Sequence, residues 1–179
     1  MRVSAAAALG LLLTIAPAGC GRAPSNAIVP EYDAGTGRLK LLKFDSNGDG
    51  KIDTWSYMDG NRVLRIEIDT DGNGTIDRWE YYGPNQQLER VALSMKGDGT
   101  QTRMEYYAGG AIVRAEEDTD GDGKVDKWET YEAGRLQTVA YDSAHRGTPD
   151  RRLVYERDGS ARLEVDQAGD GHFAPAPKR

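Results

Sequence analysis

The chain has 179 residues, with 29 acidic side chains against 23 basic ones, a net charge of −6 and one cysteine. A lone cysteine excludes an internal disulfide. The acidic balance, with Lys and Arg dispersed and no basic patch, excludes a nucleic-acid partner, because phosphates would repel such a surface.

Residues 1–19 read as a removable leader. Arg2 supplies a short positive start, and the apolar run Val3 to Ile15 is too short to cross a bilayer as a helix. The small-residue region Ala16-Pro-Ala-Gly-Cys20 follows. Ala18-Gly19-Cys20 resembles the end of a bacterial lipobox, with Pro17 where that motif carries Leu, Val or Ile. The resemblance implies that Cys20 takes a lipid anchor, palmitate included, and becomes the mature N-terminus. An ordinary secretory signal cut after Ala18 is the alternative, which leaves the chain secreted or periplasmic. Gly21 points to outer-membrane sorting by analogy with other bacterial lipoproteins. Loss of the leader removes Arg2 and takes the charge from −6 to −7. Residues 20–37 then read as the anchor cysteine with a flexible spacer, 38–173 as one repeat domain and 174–179 as a disordered tail.

Within the domain an acidic, glycine-containing loop recurs about every 24 residues. Its first positions are Asp45, Asp69, Ser94, Asp118, Asp142 and Asp166. After each loop comes a segment rich in aromatic and β-branched residues, such as Ile52-Asp-Thr-Trp-Ser-Tyr-Met58 and Ile76-Asp-Arg-Trp-Glu-Tyr-Tyr82. A glycine turn follows, then a returning alternating segment such as Arg62-Val-Leu-Arg-Ile-Glu-Ile68. The expected fold is therefore all-β, a single-domain meander of repeated antiparallel hairpins. Acidic loops line one edge and glycine turns the other.

A two-residue turn at Gly60-Asn61 sets an expected register. Tyr57 then faces Leu64, Trp55 faces Ile66 and Asp53 lies opposite Ile68, which makes one face apolar and the other polar. The same register places Glu80 near Arg90, Glu105 near Arg114, Arg103 near Glu116 and Arg151 near Glu164. The aromatic set Trp55, Tyr57, Trp79, Tyr81, Met104, Tyr106 and Trp128 is expected to form the core.

Three loops carry oxygen side chains at the positions a hard cation requires. Loop one offers Asp45, Asn47, Asp49 and Asp53, with the carbonyl of Lys51 and with Ser56 at position 12. Loop two offers Asp69, Asp71, Asn73, Asp77 and Glu80, with the carbonyl of Thr75. Loop four offers Asp118, Asp120, Asp122, Asp126 and Glu129, with the carbonyl of Lys124. This pattern resembles the EF-hand calcium loop, although strand-like sequence stands where an EF-hand has helices. It is also similar to the D-x-D-x-D-G-x-x-D spacing of thrombospondin type 3 repeats, without their cysteines. Both resemblances imply bound Ca2+. Glu80 and Glu129 are open to two roles, as position-12 ligands or as cross-strand partners of arginine. Loop three places Lys96, and loop five Arg146, where an acid is expected, so these cations are expected to replace the ion. Loop six is expected to act as a cap.

His145 and His172 sit in degenerate repeats without a partnered nucleophile, so no catalytic site is expected. The sequence supports an envelope-anchored, non-enzymatic calcium-binding repeat protein whose surface meets an unknown protein or glycan. The alternative is a metal-independent scaffold, because the Trp-x-x-Tyr-Tyr…Gly-x-Leu cadence resembles MORN-type hairpin repeats.

Overall fold

Alternating aromatic and β-branched segments punctuated by turn residues build strands and leave no helix among the described residues, 28–177 of the computed structural model. The order is β1 (Val29–Tyr32), β2 (Leu39–Phe44), β3 (Thr54–Asp59), β4 (Arg62–Ile68), β5 (Arg78–Tyr82), β6 (Leu88–Leu93) and β7 (Arg103–Ala108). It continues with β8 (Ala111–Glu117), β9 (Lys127–Glu132), β10 (Arg135–Tyr141), β11 (Arg151–Tyr155), β12 (Ala161–Val165) and β13 (Ala174–Pro175). All thirteen form one antiparallel sheet in strict chain order. Each strand touches only its neighbours, so the sheet is open and a single layer thick.

The sheet begins and ends beyond the 38–173 boundaries expected from composition. Strand β1 lies within the segment read as flexible spacer and pairs with β2, while β13 lies in the presumed disordered tail and pairs with β12. Backbone pairing recruits these short segments where side-chain pattern alone gives no signal. Both edge strands carry a proline, Pro30 and Pro175. Proline has no N–H to offer a further strand, which blunts an open edge.

The expected register is corrected by a bulge. The Gly60-Asn61 turn stands as expected, with Asp59 opposite Arg62 and Met58 opposite Val63. Leu64 is then an extra residue, so Tyr57 faces Arg65, Trp55 faces Glu67 and Ile68 faces Thr54. The same slip recurs at Glu89, Val113 and Gln137 in the next three hairpins. Three of the expected charge pairs are lost with it, and the fourth, Arg151–Glu164, is displaced by one residue in the bulge-free β11–β12 hairpin. Arg90 lies opposite Tyr81, Arg114 opposite Tyr106, Glu116 opposite Met104, and Glu164 opposite Arg152 rather than Arg151.

This register sets the chemistry of both faces. On one, guanidinium groups stack over tyrosines: Arg65 over Tyr57 at 4.2 Å, Arg90 over Tyr81 at 4.6 Å and Arg114 over Tyr106 at 3.4 Å. Trp55, Trp79, Met104 and Trp128 share that face, but every member of the aromatic set is only half-buried. The buried apolar residues among those described are Val91, Ala92, Ala115 and Val139. A single layer offers no second sheet to cover large rings.

On the opposite face Arg103 donates to Glu105 at 2.9 Å, Glu117 at 2.9 Å and Glu129 at 2.6 Å. Lys127 joins the network through Glu117 and Glu129. Burial opposes ionisation of Glu129, but bonds from Arg103, Tyr131 and Lys127 outweigh it and lower its pKa from 4.5 to about 2.

A depressed carboxyl adds stability above its unfolded pKa and loses it as the folded group protonates. Stability measured against pH is therefore expected to fall as the pH drops from 4.5 to about 2 and Glu129 protonates. In urea, Arg103→Met is expected to cost about 2–4 kcal/mol, because three acids lose their shared cation. Arg62→Met, which removes an exposed pair with Asp59, is expected to cost less than about 1 kcal/mol.

Candidate metal loops along one sheet edge

All six loops project from the same edge, because each joins the far ends of consecutive strands in the meander. The backbone ladder continues into them. The position-9 N–H returns to the residue before position 1, as in Asp77 N to Ile68 O at 3.0 Å. The position-1 N–H reaches back to the previous loop's position 9, as in Asp69 N to Asp53 O at 2.9 Å and Asp142 N to Asp126 O at 2.9 Å. These two positions lock each loop to its neighbour.

In loops one and two both of these side chains are buried, in loops five and six the first is, and Asp118 and Asp126 of loop four are half-buried. Asp45, Asp53, Asp69, Asp77, Asp142 and Asp166 are each at most 7% exposed. In loop two the Asp69 carboxylate accepts the N–H groups of Gly72, Asn73 and Gly74 at 2.9, 3.1 and 2.8 Å. Gly72 and Gly74 take φ of 74° and 92°, a left-handed turn that aims successive N–H groups inward. Asp77 accepts both the N–H and the hydroxyl of Thr70. Loops one and four repeat the pattern. Asp45 accepts from Gly48 and Gly50, and Asp118 from Gly121 and Gly123. Asp53 holds Ser46, and Asp126 holds Thr119. Burial works against ionisation of Asp53 and Asp118, yet this donation holds both carboxyls below the usual range. Like charges this close repel one another, and the chain's own donors partly offset that repulsion.

Positions 3 and 5 differ. Asp71, Asn73, Asp120, Asp122, Asn47 and Asp49 are exposed. Each carries an Asx-type bond to the N–H two residues on, such as Asp122 Oδ1 with Lys124 N at 2.8 Å. In two loops carboxylates converge: ligand oxygens of Asp69, Asp71 and Asp77, and of Asp118, Asp120 and Asp126, lie within 4.8 Å of one another. The backbone carbonyls of Lys51, Thr75 and Lys124 accept no loop backbone bond. Such all-oxygen sets fit a hard divalent cation.

Position 12 points elsewhere. Glu80 accepts from Arg78 at 2.8 Å and from the Tyr82 hydroxyl at 2.7 Å, on a sheet face. Glu129 sits in the Arg103 network, and Ser56 occupies the equivalent place in β3. The arginine facing Glu80 is therefore two residues along its own strand rather than Arg90 across from it. Loop three replaces the end carboxylates with hydroxyls: Ser94 Oγ accepts from Gly99 N at 3.1 Å and Thr102 Oγ1 from Met95 N at 3.3 Å. Lys96 and Arg146 reach the next loops, lying against Gly121 and Gly169 respectively.

Sequence reading missed the residue at position 2. Ser46, Thr70 and Thr119 all clasp position 9, and the signal was present as a hydroxyl directly after the first aspartate in all three loops.

The EF hand family matches residues 41–54, which span loop one. No curated protein matches the chain. Among solved structures, accessory secretory protein 1, 2 and 3 of Streptococcus pneumoniae aligns with 14% identity and a TM-score of 0.35, over 66% of this chain and 19% of that chain. A GtfA/B complex bound to UDP and GlcNAc aligns with 8% identity and a TM-score of 0.30, over 86% of this chain and 25% of that chain. This chain thus spans a quarter or less of either.

The two classes of aspartate predict different behaviour without metal. In thermal melts with chelator, Asp77→Ala is expected to lose about 1–2 kcal/mol, because buried donors lose their acceptor. Asp71→Ala is expected to stay within about 0.5 kcal/mol of the parent under the same conditions.

Proposed function

We propose that the protein is a non-enzymatic, envelope-anchored repeat protein whose acidic loops bind calcium and stiffen one edge of the sheet. The observation that carries this reading is the convergence of three carboxylates in each of two separate loops, Asp69/Asp71/Asp77 and Asp118/Asp120/Asp126. The EF hand match over loop one supports it from sequence. Asn73 and Asp122 add position-5 oxygens, and the carbonyls of Thr75 and Lys124 add a neutral donor to each set. Glu80 and Glu129 stay in their ion pairs, so water completes the coordination. Loop one has Asp45, Asn47, Asp49 and Asp53 and is the weaker site. Bound calcium would supply charge neutralisation and would tie the exposed positions 3 and 5 to the buried frame.

The partner on this reading is a protein or glycan that meets the Tyr–Arg face of the sheet. Anchoring rests on Cys20, which lies outside the described residues. Palmitate labelling in a bacterial host is expected to mark the chain and to vanish in Cys20→Ser; labelling that persists overturns the anchor.

A metal-independent scaffold is the second reading, favoured by the saturation of positions 1 and 9 with backbone donors. Calcium distinguishes the two. Extracellular sites of this kind bind at roughly 10⁻⁴–10⁻³ M. Calcium at 10 mM (~10–100 times such a Kd) is then expected to add about 1.4–2.7 kcal/mol per filled loop. The gain is expected to shrink in Asp71→Asn and Asp120→Asn, whose chelator-treated melts are expected to match the parent. An unchanged melting temperature on adding calcium selects the scaffold.

A further inference from the structure

Loop five departs from the others at its fourth position. Gly48, Gly72, Gly97, Gly121 and Gly169 hold that place elsewhere, with φ between 66° and 86°, whereas loop five puts His145 there with φ of 53°. A histidine in this region bears backbone strain that glycine avoids, and strain of this kind gathers at functional sites.

Two observations meet at this residue. The first is where its imidazole goes. His145 Nδ1 lies 3.6 Å from the Asp120 carboxylate of loop four. His145, Asp120 and Asp122 each present a ligand atom within 4.8 Å of the others. The second concerns Asp142, at position 1 of the same loop. In loops one, two, four and six the position-4 glycine N–H donates to that carboxylate. In loop five Gly147 N donates to Oδ2, while Oδ1 is buried without a hydrogen-bond partner. Asp142 is 4% exposed. With Asp122, Asp126 and His145 it lines a cavity of about 10 Å³ between the two loops, the room of roughly one water or ion. An ionisable oxygen buried without a hydrogen-bond partner is costly, and a cation or its bound water in the adjoining space would offset that cost.

We infer that loops four and five together hold a divalent metal of the zinc class on Asp120, Asp122 and His145, with the buried Asp142 carboxylate lining the cavity beside Asp122 and His145. An imidazole ligand selects zinc, nickel or copper over calcium and magnesium, which prefer oxygen alone. The histidine at position 4 exchanges a relaxed turn for a ligand that bridges two repeats. Lys124 is the competing cation, with Nζ 3.9 Å from Asp122, but its side chain is 75% exposed and turns readily to solvent. The site goes beyond the calcium reading: it shares Asp120 and Asp122 with loop four, but His145 and Asp142 belong to loop five alone.

The test is zinc chloride titrated calorimetrically into the full chain in a Cys20→Ser background, which removes the one thiol. The parent is expected to bind one equivalent of zinc. His145→Gly, which restores the residue that the other loops carry, is expected to bind at least tenfold more weakly while melting at the same or a higher temperature without metal. That pairing separates loss of a ligand from loss of the fold. His172→Gln, at the other histidine, is expected to leave zinc affinity unchanged. Absence of zinc binding in the parent, or undiminished affinity in His145→Gly, overturns the site. Calcium titrated into parent and His145→Gly is expected to bind alike, so a failure of calcium in both counts against the cation-loop reading and leaves the zinc result to stand or fall separately.

Discussion

Buried aspartates close both ends of loops one and two and open loops five and six, and the sheet depends on how their oxygens are satisfied. Asp69 and Asp77 are representative: one gathers three N–H groups of its own loop, and the other takes the N–H and hydroxyl of Thr70. Burial of a charge is tolerable when each oxygen has a donor. Because the ladder also runs through these residues, from Asp69 N to Asp53 O and from Asp142 N to Asp126 O, each satisfied loop fixes the spacing of the next. The repeat length follows from that lock.

A single layer makes the lock necessary. Among the described residues four small ones, Val91, Ala92, Ala115 and Val139, form the buried apolar set, too little to hold thirteen strands by burial alone. The remainder comes from ladders between neighbours: tyrosine under arginine on one face, and the Arg103 cluster with its glutamates on the other. Since each strand contacts only its neighbours, such a structure behaves as a chain of coupled repeats, each stabilised by those beside it. An ion tying two loops together, as proposed, would act on the same nearest-neighbour coupling.

On the proposed reading, cation binding and fold share positions 1 and 9 of a loop and part at positions 3 and 5. Positions 1 and 9 are structural first and ligands second, whereas positions 3 and 5 stand exposed and bear on the fold mainly through a bound ion. Loop three illustrates the division. With Ser94 and Thr102 in place of aspartates it keeps the frame, and its Lys96 lies against the neighbouring loop. A loop can lose its cation chemistry without losing its place in the sheet.

Much of this was legible in the amino-acid sequence because its causes are local. The period, the hairpins, the turn at Gly60-Asn61 and the convergent acids of loops two and four all follow from turn chemistry and strand alternation within a few residues. The faces were not legible. A one-residue bulge at Leu64, Glu89, Val113 and Gln137 leaves the alternation intact in the text of the chain but re-aims the cross-strand partners beyond it, exchanging the expected Glu80–Arg90 for Tyr81–Arg90. Nor could sequence place His145 beside Asp120, 25 residues away, since that meeting depends on the lateral distance between loops. Local composition determined which elements form; the tertiary structure decided which side chains meet, because hydrogen-bond register and strand spacing are properties of the assembled sheet.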